Sequence, residues 1–320
     1  MHNWLQACLL GGLVTLAPVA LSQAFPSKPL RIIVPFGVGG PNDILARVVG
    51  HKLTEAWGQQ TILDNRPGGG TIIGTEAAAR APPDGYTLMI AATSHATNPS
   101  RGHKLPFDPI RDFAPVTLIG VSPTVLIVHP SMPVKSISEL VAFAKARPGQ
   151  ISFGSGGVGT AIHLAFELLS LQSGIKMIHV PFRGQAPGIA SVLGGEIPWM
   201  FAGVMPTLPH IRSGRLRPIA VSSVHRVNLL PEVPVVADML PGFEAVPWYG
   251  LFVPAATPKE RITMINQVIV AGLTATEMRQ RLSAEGVEVV AGSPEAFGTF
   301  FRAEIDRWAK VIKHAGITLE

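Results

Sequence analysis

Two glycine-rich segments contain the residues best suited to bind a ligand. The first loop (residues 36–43) and the second loop (residues 155–160) each follow a predicted strand and precede a predicted helix. A loop in this position directs the free N–H groups of a helix N-terminus outward, at the positive end of the helix dipole. Such a terminus binds carboxylate or phosphate groups without a charged side chain. The simplest arrangement that uses both loops places one in each of two domains, facing each other across a cleft.

The second loop also fits two other interpretations. GSGGVG at residues 154–159 matches the G-x-G-x-x-G fingerprint of dinucleotide-binding loops. That fingerprint requires an acidic residue about 20 residues further on, but residues 179–183 read HVPFR. Arg183 could contact a 2′-phosphate, so an NADP-binding enzyme is kept as an alternative, as is a purely structural turn that needs glycine for close packing. The first loop lacks the Lys and Ser/Thr of a nucleotide-binding P-loop.

The sequence contains no recognisable catalytic group. Ser94 and His95 are adjacent at the end of a predicted strand, so their side chains are expected to point apart. No Ser lies in a G-x-S-x-G elbow, and no H-E-x-x-H motif occurs. His163 and His179 have no partner at metal-ligand spacing. We predict that the protein is not an enzyme and needs no cofactor or metal. A secreted hydrolase is kept as an alternative, because catalytic residues can converge from distant loops.

Residues 1–24 differ in composition from the rest of the 320-residue chain. They contain none of the 26 Lys and Arg or the 21 Asp and Glu. An apolar core ends in SQA, which places small residues at −3 and −1 for cleavage before Phe25 and is typical of a secretory signal peptide. The apolar run is shorter than the roughly 20 residues of a membrane-spanning helix. We predict cleavage near Ala24/Phe25 and a periplasmic location. The only cysteine, Cys8, would be lost with this segment.

The remaining chain is basic, with a net charge of +5, but its Lys and Arg residues are scattered. A nucleic-acid-binding surface would require a clustered basic stripe, so no nucleic-acid partner is predicted. An excess of positive charge is consistent with the attraction of anionic small molecules.

Predicted strands and helices alternate along the chain, which is typical of an α/β protein with a mostly parallel sheet. The predicted strands cover residues 30–34, 61–64, 86–92, 124–128, 150–154, 176–180, 197–201 and 217–222. The predicted helices cover residues 44–57, 71–80, 136–146, 160–172, 186–193 and 258–273, and a last helix begins near residue 293.

Several segments resemble one known family. They are PSKPLRIIVPF (26–36), GGPNDILAR (39–47), DNRPG (64–68), PDGYTL (83–88), LPFDP (105–109), HVPFRG (179–184), LGGE (193–196) and WYGL (248–251). In these segments the sequence resembles the Bug family, the extracytoplasmic solute receptors of tripartite tricarboxylate transporters. The resemblance covers nearly the whole chain after residue 24, in order.

The resemblance implies a type II periplasmic binding protein fold, with two α/β domains and a ligand cleft between them. Domain 1 would comprise residues 25–124 and 250–320, and domain 2 residues 125–249, with crossovers near residues 122–126 and 247–251. The implied function is the capture of a small mono-, di- or tricarboxylate in the cleft. The implied partners are the membrane permease subunits of a tripartite tricarboxylate transporter, or else a sensor.

The predicted ligand-binding residues lie in the two loops, at the end of the strand at 86–92, and near the strands at 176–180 and 197–201. They are Phe36, Gly37, Val38, Gly39, Gly40, Asp43, Thr93, Ser94, Ser155, Gly156, Gly157, Gly159, Thr160, His163, Arg183, Phe201 and Ala202. The sequence departs from the family pattern at Val38, where a smaller residue or Pro is common, and at Ala202, where Asp is often found. The missing Asp favours a plain carboxylate over an amino acid as the ligand.

Overall fold

The computed structural model describes residues 25–100, 102, 104–182 and 184–317. The predicted signal peptide and Arg183 lie outside these residues. Within the described part of the chain, no helix is both long enough and apolar enough to cross a membrane.

The described chain contains eleven strands and ten α-helices. In chain order they are β1 (Leu30–Val34), α1 (Pro41–Trp57), β2 (Thr61–Asn65), α2 (Ile72–Ala79), β3 (Thr87–Ala92), α3 (Thr93–Thr97), β4 (Phe113–Val121), β5 (Thr124–Val128), α4 (Ile137–Lys145), β6 (Ser152–Ser155), α5 (Ala161–Ser173), β7 (Ile178–Pro181), α6 (Gln185–Leu193), β8 (Trp199–Gly203), α7 (Val204–Arg212), β9 (Arg217–Val221), β10 (Trp248–Pro254), α8 (Lys259–Thr274), α9 (Thr276–Ala284), β11 (Glu288–Val289) and α10 (Pro294–Ala315).

The strands form two mixed sheets rather than mostly parallel ones. The first has the order β11-β4-β10-β3-β1-β2, and the second has the order β7-β6-β8-β5-β9. β1 runs parallel to β2 and β3, and β6 runs parallel to β7 and β8. The chain passes between the sheets twice, and the strand that enters after each passage, β5 or β10, is antiparallel to its neighbours. This return of the chain is the reason why the sheets are mixed.

The architecture is that of two α/β domains, as predicted. The chain leaves the first sheet after Val121, joins the second at Thr124, leaves it after Val221 and rejoins the first at Trp248. Thr124 therefore pairs within the second sheet, whereas Tyr249 pairs within the first. The boundaries at 124/125 and 249/250 stay a prediction.

Hydrophobic strand residues form the core of each domain. Leu30, Ile32 and Val34 of β1 pack with the apolar face of α1, and β5 is buried along its whole length in the second domain. The parallel pairs β1/β2 and β6/β7 place the loop after β1 and the loop after β6 at the carboxyl ends of strands. This is the edge of an α/β sheet at which ligands usually bind.

Candidate ligand-binding site

A cavity of about 470 Å³ lies between the two domains. This volume is within the range typical of small-molecule sites. Residues from both domains and from both crossovers line it. They are Pro41, Ser122, Thr124, Gly156, Thr160, Ala161, Ile162, Gly184, Gln185, Gly203, Val204, Met205, Pro206, Pro247, Tyr249, Glu285 and Gly286.

Four helices begin at the wall of this cavity: α1 from the first domain, and α5, α6 and α7 from the second. The N-cap residues of α1, α6 and α7 are Gly40, Gly184 and Gly203, none of which supplies a capping side chain. The first-turn N–H groups of these three helices are therefore not satisfied by a capping side chain. Convergent helix N-termini of this kind provide a positive field and hydrogen-bond donors for an anion.

Side-chain charge contributes little to the described part of the wall. Among the described lining residues, the exposed Glu285 is the only Asp, Glu, Lys, Arg or His. In this part of the wall, the groups that can attract an anion are backbone N–H groups, helix dipoles and neutral side-chain donors.

The first loop is held from beneath by Asp43, whose side chain is almost fully buried (1% exposed). Its Oδ2 accepts hydrogen bonds from the N–H of Gly39 (3.0 Å) and from Nε of Arg47 (3.0 Å). Its Oδ1 accepts one from Nδ2 of Asn65 (3.0 Å). Burial raises the pKa of Asp43, but these three donors outweigh burial and hold the pKa below its usual value. Asp43 therefore supports the loop, and both of its oxygens are occupied.

The second loop is held from beneath by two histidines. Nδ1 of His163 accepts the N–H of Gly159 (2.9 Å), and Nε2 of His179 lies 2.6 Å from the hydroxyl of Ser155. The two imidazole rings stack with their centroids 3.6 Å apart and their planes 9° apart. Burial, and then the neighbouring His163, lower the pKa of His179 to about 4. The loop thus rests on a stacked pair of imidazoles, in which Nδ1 of His163 is the acceptor.

Gln185 is a wall residue that sequence analysis missed. Its Oε1 accepts the N–H of Gly203 (2.6 Å), which fixes the orientation of the amide. Because Oε1 is occupied, the NH₂ group is the part of Gln185 that is available to a ligand in the cavity. The only local signal in the sequence was the position of Gln185 after Gly184, at the start of a predicted helix.

The two crossover segments run side by side along the cavity. The N–H of Ser122 donates to the carbonyl of Pro247 (2.8 Å), and the N–H of Ser222 donates to that of Thr124 (2.8 Å). The hydroxyl of Thr124 also donates to that of Ser222 (2.9 Å). Burial raises the pKa of Tyr249, and a hydrogen bond with Ser122 partly offsets this effect. Tyr249 is therefore a neutral O–H group in the cavity wall.

Only some of the residues predicted to bind the ligand line the cavity directly. Gly156 and Thr160 of the second loop do, whereas the lining residue from the first loop is Pro41, which was not among the predicted ones. The side chain of Val38, at the tip of the first loop, is 72% exposed, and that of Val158 in the second loop is 50% exposed. Both tips are therefore exposed to solvent.

Two further pairs of predicted residues lie away from the cavity wall. Phe201 and Ala202 are fully buried in β8, and it is the next residue, Gly203, that reaches the cavity. The hydroxyl of Thr93 accepts the N–H of Trp248 (3.4 Å), and the hydroxyl of Ser94 accepts that of Thr71 (3.3 Å).

The remaining predicted residues belong to the two loops themselves. Phe36 lies at the base of the first loop, where its carbonyl accepts Nδ2 of Asn65 (3.2 Å). Gly37 and Gly39 are exposed beside Val38. In the second loop, the N–H of Gly157 donates to the hydroxyl of Ser155 (3.0 Å).

The sequence matches the profile of the tripartite tricarboxylate transporter family receptors (TctC) over residues 45–317. The chain belongs to this receptor family. Its members are periplasmic solute-binding proteins rather than NADP-dependent enzymes or hydrolases, and partnership with a transporter is a property of the family.

Three similar proteins illustrate the relationship. BugT of Bordetella pertussis is 34% identical over 307 residues, which cover 95% of this chain and 94% of BugT. A solved structure of a Rhodopseudomonas palustris protein with adipate is 34% identical, has a TM-score of 0.77, and covers 92% of this chain and 99% of its own. MatC of Rhodopseudomonas palustris, solved with bound malate, is 28% identical, has a TM-score of 0.73, and covers 90% of this chain and 100% of its own.

Proposed function

We propose that this receptor captures a small organic carboxylate in the cleft between its domains and presents it to a membrane permease or a sensor. The observation that carries the proposal is the convergence of four helix N-termini on one cavity. Three of these termini have glycine N-caps, so ligand oxygens can approach the backbone there closely. α1 begins with Pro41, which has no N–H, so its first donor is the N–H of Asn42.

Dicarboxylates are the ligands to test first. The similar structures contain adipate and malate, each of which has two carboxylate groups. In this chain the helix N-termini lie on both walls of the cavity, with α1 on one side and α5, α6 and α7 on the other. A dicarboxylate can place one anionic group against each wall.

Ligand capture is proposed to close the cleft. Val38 and Val158, at the tips of the two loops, are exposed, which is consistent with an open cleft. The crossover that contains Ser122 and Thr124 is hydrogen-bonded to the other crossover, and together the two form a short hinge. A ligand shifts the equilibrium toward closure only if it contacts both walls. A carboxylate held by the α1 terminus and by the α5–α7 termini satisfies that requirement.

The proposed receptor acts in the periplasm after cleavage of the signal peptide near Ala24/Phe25, and it carries out no chemical step. A mature N-terminus at Phe25, determined by mass spectrometry of periplasmic protein, would support this assignment. An uncleaved chain recovered from the cytoplasm would contradict it.

A thermal-shift screen with small organic acids tests the function. A ligand at 100 times its dissociation constant stabilises the folded state by about 2.7 kcal/mol, which is a readily measured shift. We expect adipate, malate or a related acid to raise the melting temperature. If no mono-, di- or tricarboxylate does so, the proposal is wrong.

Two glycine variants connect any binding to the loops. Gly39 has φ +87°, so Gly39→Val strains the first loop. A Cβ on Gly156 would lie 3.4 Å from the carbonyl carbon of Gly184, so Gly156→Val crowds the second loop against α6. Both variants should lose binding and keep the fold. Gly292→Ala, which adds a Cβ 4.0 Å from Ala296, is the control and should bind normally.

A further inference from the structure

The two ligand loops are built in the same way. Gly39 and Gly159 each immediately precede the N-cap of the following helix, and both have positive φ (87° and 70°). In each loop this glycine donates its N–H to the side chain four residues ahead, which is Asp43 in one case and His163 in the other. The equivalent positions therefore act as supports for the loop rather than as ligand contacts.

The surroundings of the two supports also correspond. Asp43 pairs with Arg47 one helical turn further on, and Nε2 of His163 lies 3.4 Å from Oε1 of Glu167, again one turn further on. In each domain a second contact to the support comes from the strand that runs parallel to the one before the loop. Asn65 of β2 contacts Asp43, and His179 of β7 contacts His163. The difference is chemical: one support is a carboxylate, and the other is an imidazole.

We propose that His163, with His179 stacked on it, is the positioning residue of the second loop, and that protonation of this pair releases the loop from its ligand-binding shape. To accept the N–H of Gly159, Nδ1 of His163 must carry no proton, so the proton of the neutral ring is on Nε2, facing Glu167. A proton added at Nδ1 would turn the acceptor into a donor. Two N–H groups would then face each other at the base of the loop.

Because the two rings are stacked, the protonation of one affects the protonation of the other. At a centroid separation of 3.6 Å two positive charges repel strongly, so a proton on one ring disfavours a proton on the other. The lowered pKa of His179 agrees with this geometry. Among the described residues, Glu167 on α5 is the only acidic residue with a carboxylate oxygen within 4 Å of a ring nitrogen of either histidine. From β6, the contacts are the ring of Phe153 and the hydroxyl of Ser155, which carry no charge.

The first test observes the loop without a ligand. In protein labelled with ¹⁵N-glycine, the amide signals of Gly159 and Gly39 are assigned by loss of the signal in Gly159→Ala and Gly39→Ala. Between pH 7.5 and pH 5 we expect the Gly159 amide proton to move by several tenths of a ppm, and that of Gly39 to stay. In His163→Asn, whose side-chain oxygen takes the place of Nδ1 as a non-titrating acceptor, the Gly159 signal should not move. A stationary Gly159 signal in the unmodified protein would overturn the proposal.

The second test measures affinity and rests on the proposed function. The dissociation constants of adipate and malate are measured by calorimetry at pH 7.5 and pH 5.5 for the unmodified protein, for His163→Asn and for the exposed-histidine control His225→Asn. Because the acids themselves take up protons, the deciding quantity is the ratio of each variant's dissociation constant to that of the unmodified protein at the same pH.

We expect the unmodified protein and His225→Asn to lose at least about fivefold more affinity on acidification than His163→Asn does. Equal losses in all three would overturn the proposal. If neither acid binds at any pH, the proposed function fails with these ligands, whereas the amide measurement still decides the role of His163.

Discussion

Gln185→Glu is the sharpest test of the site, because the change keeps the oxygen of the amide and replaces its hydrogen-bond donor with an acceptor. A glutamate at this position keeps an oxygen that can accept the N–H of Gly203, a bond that is 2.6 Å long in the structure. It replaces the NH₂ group, which the structure leaves available to the cavity, with a negatively charged oxygen. The substitution therefore isolates the contribution of the NH₂ donor to binding.

The expected loss has two parts. A hydrogen bond to a charged group contributes about 1.5–3 kcal/mol, and the variant loses it. A new carboxylate about 5 Å from that of the ligand adds roughly 3 kcal/mol of repulsion at an effective dielectric constant of about 20. Solvent in the open cleft reduces the second part, so we expect a total of at least about 3 kcal/mol. This corresponds to affinity weakened more than about 100-fold.

Calorimetry with adipate or malate at pH 8, where the new carboxyl group is ionised, measures this effect. Gln185→Met, which removes the donor without adding a charge, should weaken binding by only about 10- to 100-fold. Gln150→Glu makes the same change at an exposed position of the same domain and should bind normally. If Gln185→Glu binds within threefold of the unmodified protein, the assignment of Gln185 to the ligand wall is wrong.

Three further predictions concern the framework around the site. The ring of His95 is fully buried among phenylalanines, and burial lowers its pKa to about 3, although the nearby carbonyl of Pro109 partly opposes this effect. Because the folded state disfavours its protonation, stability is lost as the pH falls below about 6.5. Urea unfolding measures the free energy of unfolding, which should fall by about 2 kcal/mol more in the unmodified protein than in His95→Leu between pH 7.5 and pH 5. The same dependence on pH in both proteins would contradict this. Glu304 accepts two buried indole N–H groups at 2.9 and 2.7 Å, so Glu304→Ala should lower the free energy of unfolding by about 3–5 kcal/mol. A loss below 1 kcal/mol would show that the carboxylate is dispensable. A Cβ at position 250 would overlap the ring of Phe297, so Gly250→Ala should cost at least about 1–3 kcal/mol, and the double variant with Phe297→Leu should recover part of the loss.

The sequence alone predicted the elements whose signals are local. Residues 30–34 and 124–128 are strands at the predicted bounds, because each is a short apolar run bounded by turn residues. The start of α5 was predicted to within one residue, because a glycine loop and the capping residue Thr160 follow a strand. The helix predicted from residue 44 begins three residues earlier, at Pro41, because proline suits the first turn of a helix. The starts of α6 and α7 were not recognised as parts of the site. No helix was predicted at α7, which contains Pro206 and Pro209; Pro206 lies in the first turn, where no N–H is needed.

The direction in which a polar side chain points was harder to predict than its position. Asp43 and His163 are three residues past the N-caps of their helices, where a side chain reaches back toward the chain that precedes the helix. From sequence they were expected to bind the ligand, whereas in the structure they bind Gly39 and Gly159 beneath the loops. The long-range contact that completes the second support, from His179, depends on strand pairing and has no local signal.

The matched supports give the two walls of the cleft different responses to acid. Asp43 keeps its charge until the pH falls below the usual value for an aspartate, because three N–H donors face its carboxylate. The supporting role of His163, in contrast, requires a bare nitrogen, which is the atom that takes up a proton. As the pH falls, the second loop should therefore loosen first, while the first loop and α1 still hold their shape. A carboxylate bound between the walls would then leave from the side of the second domain.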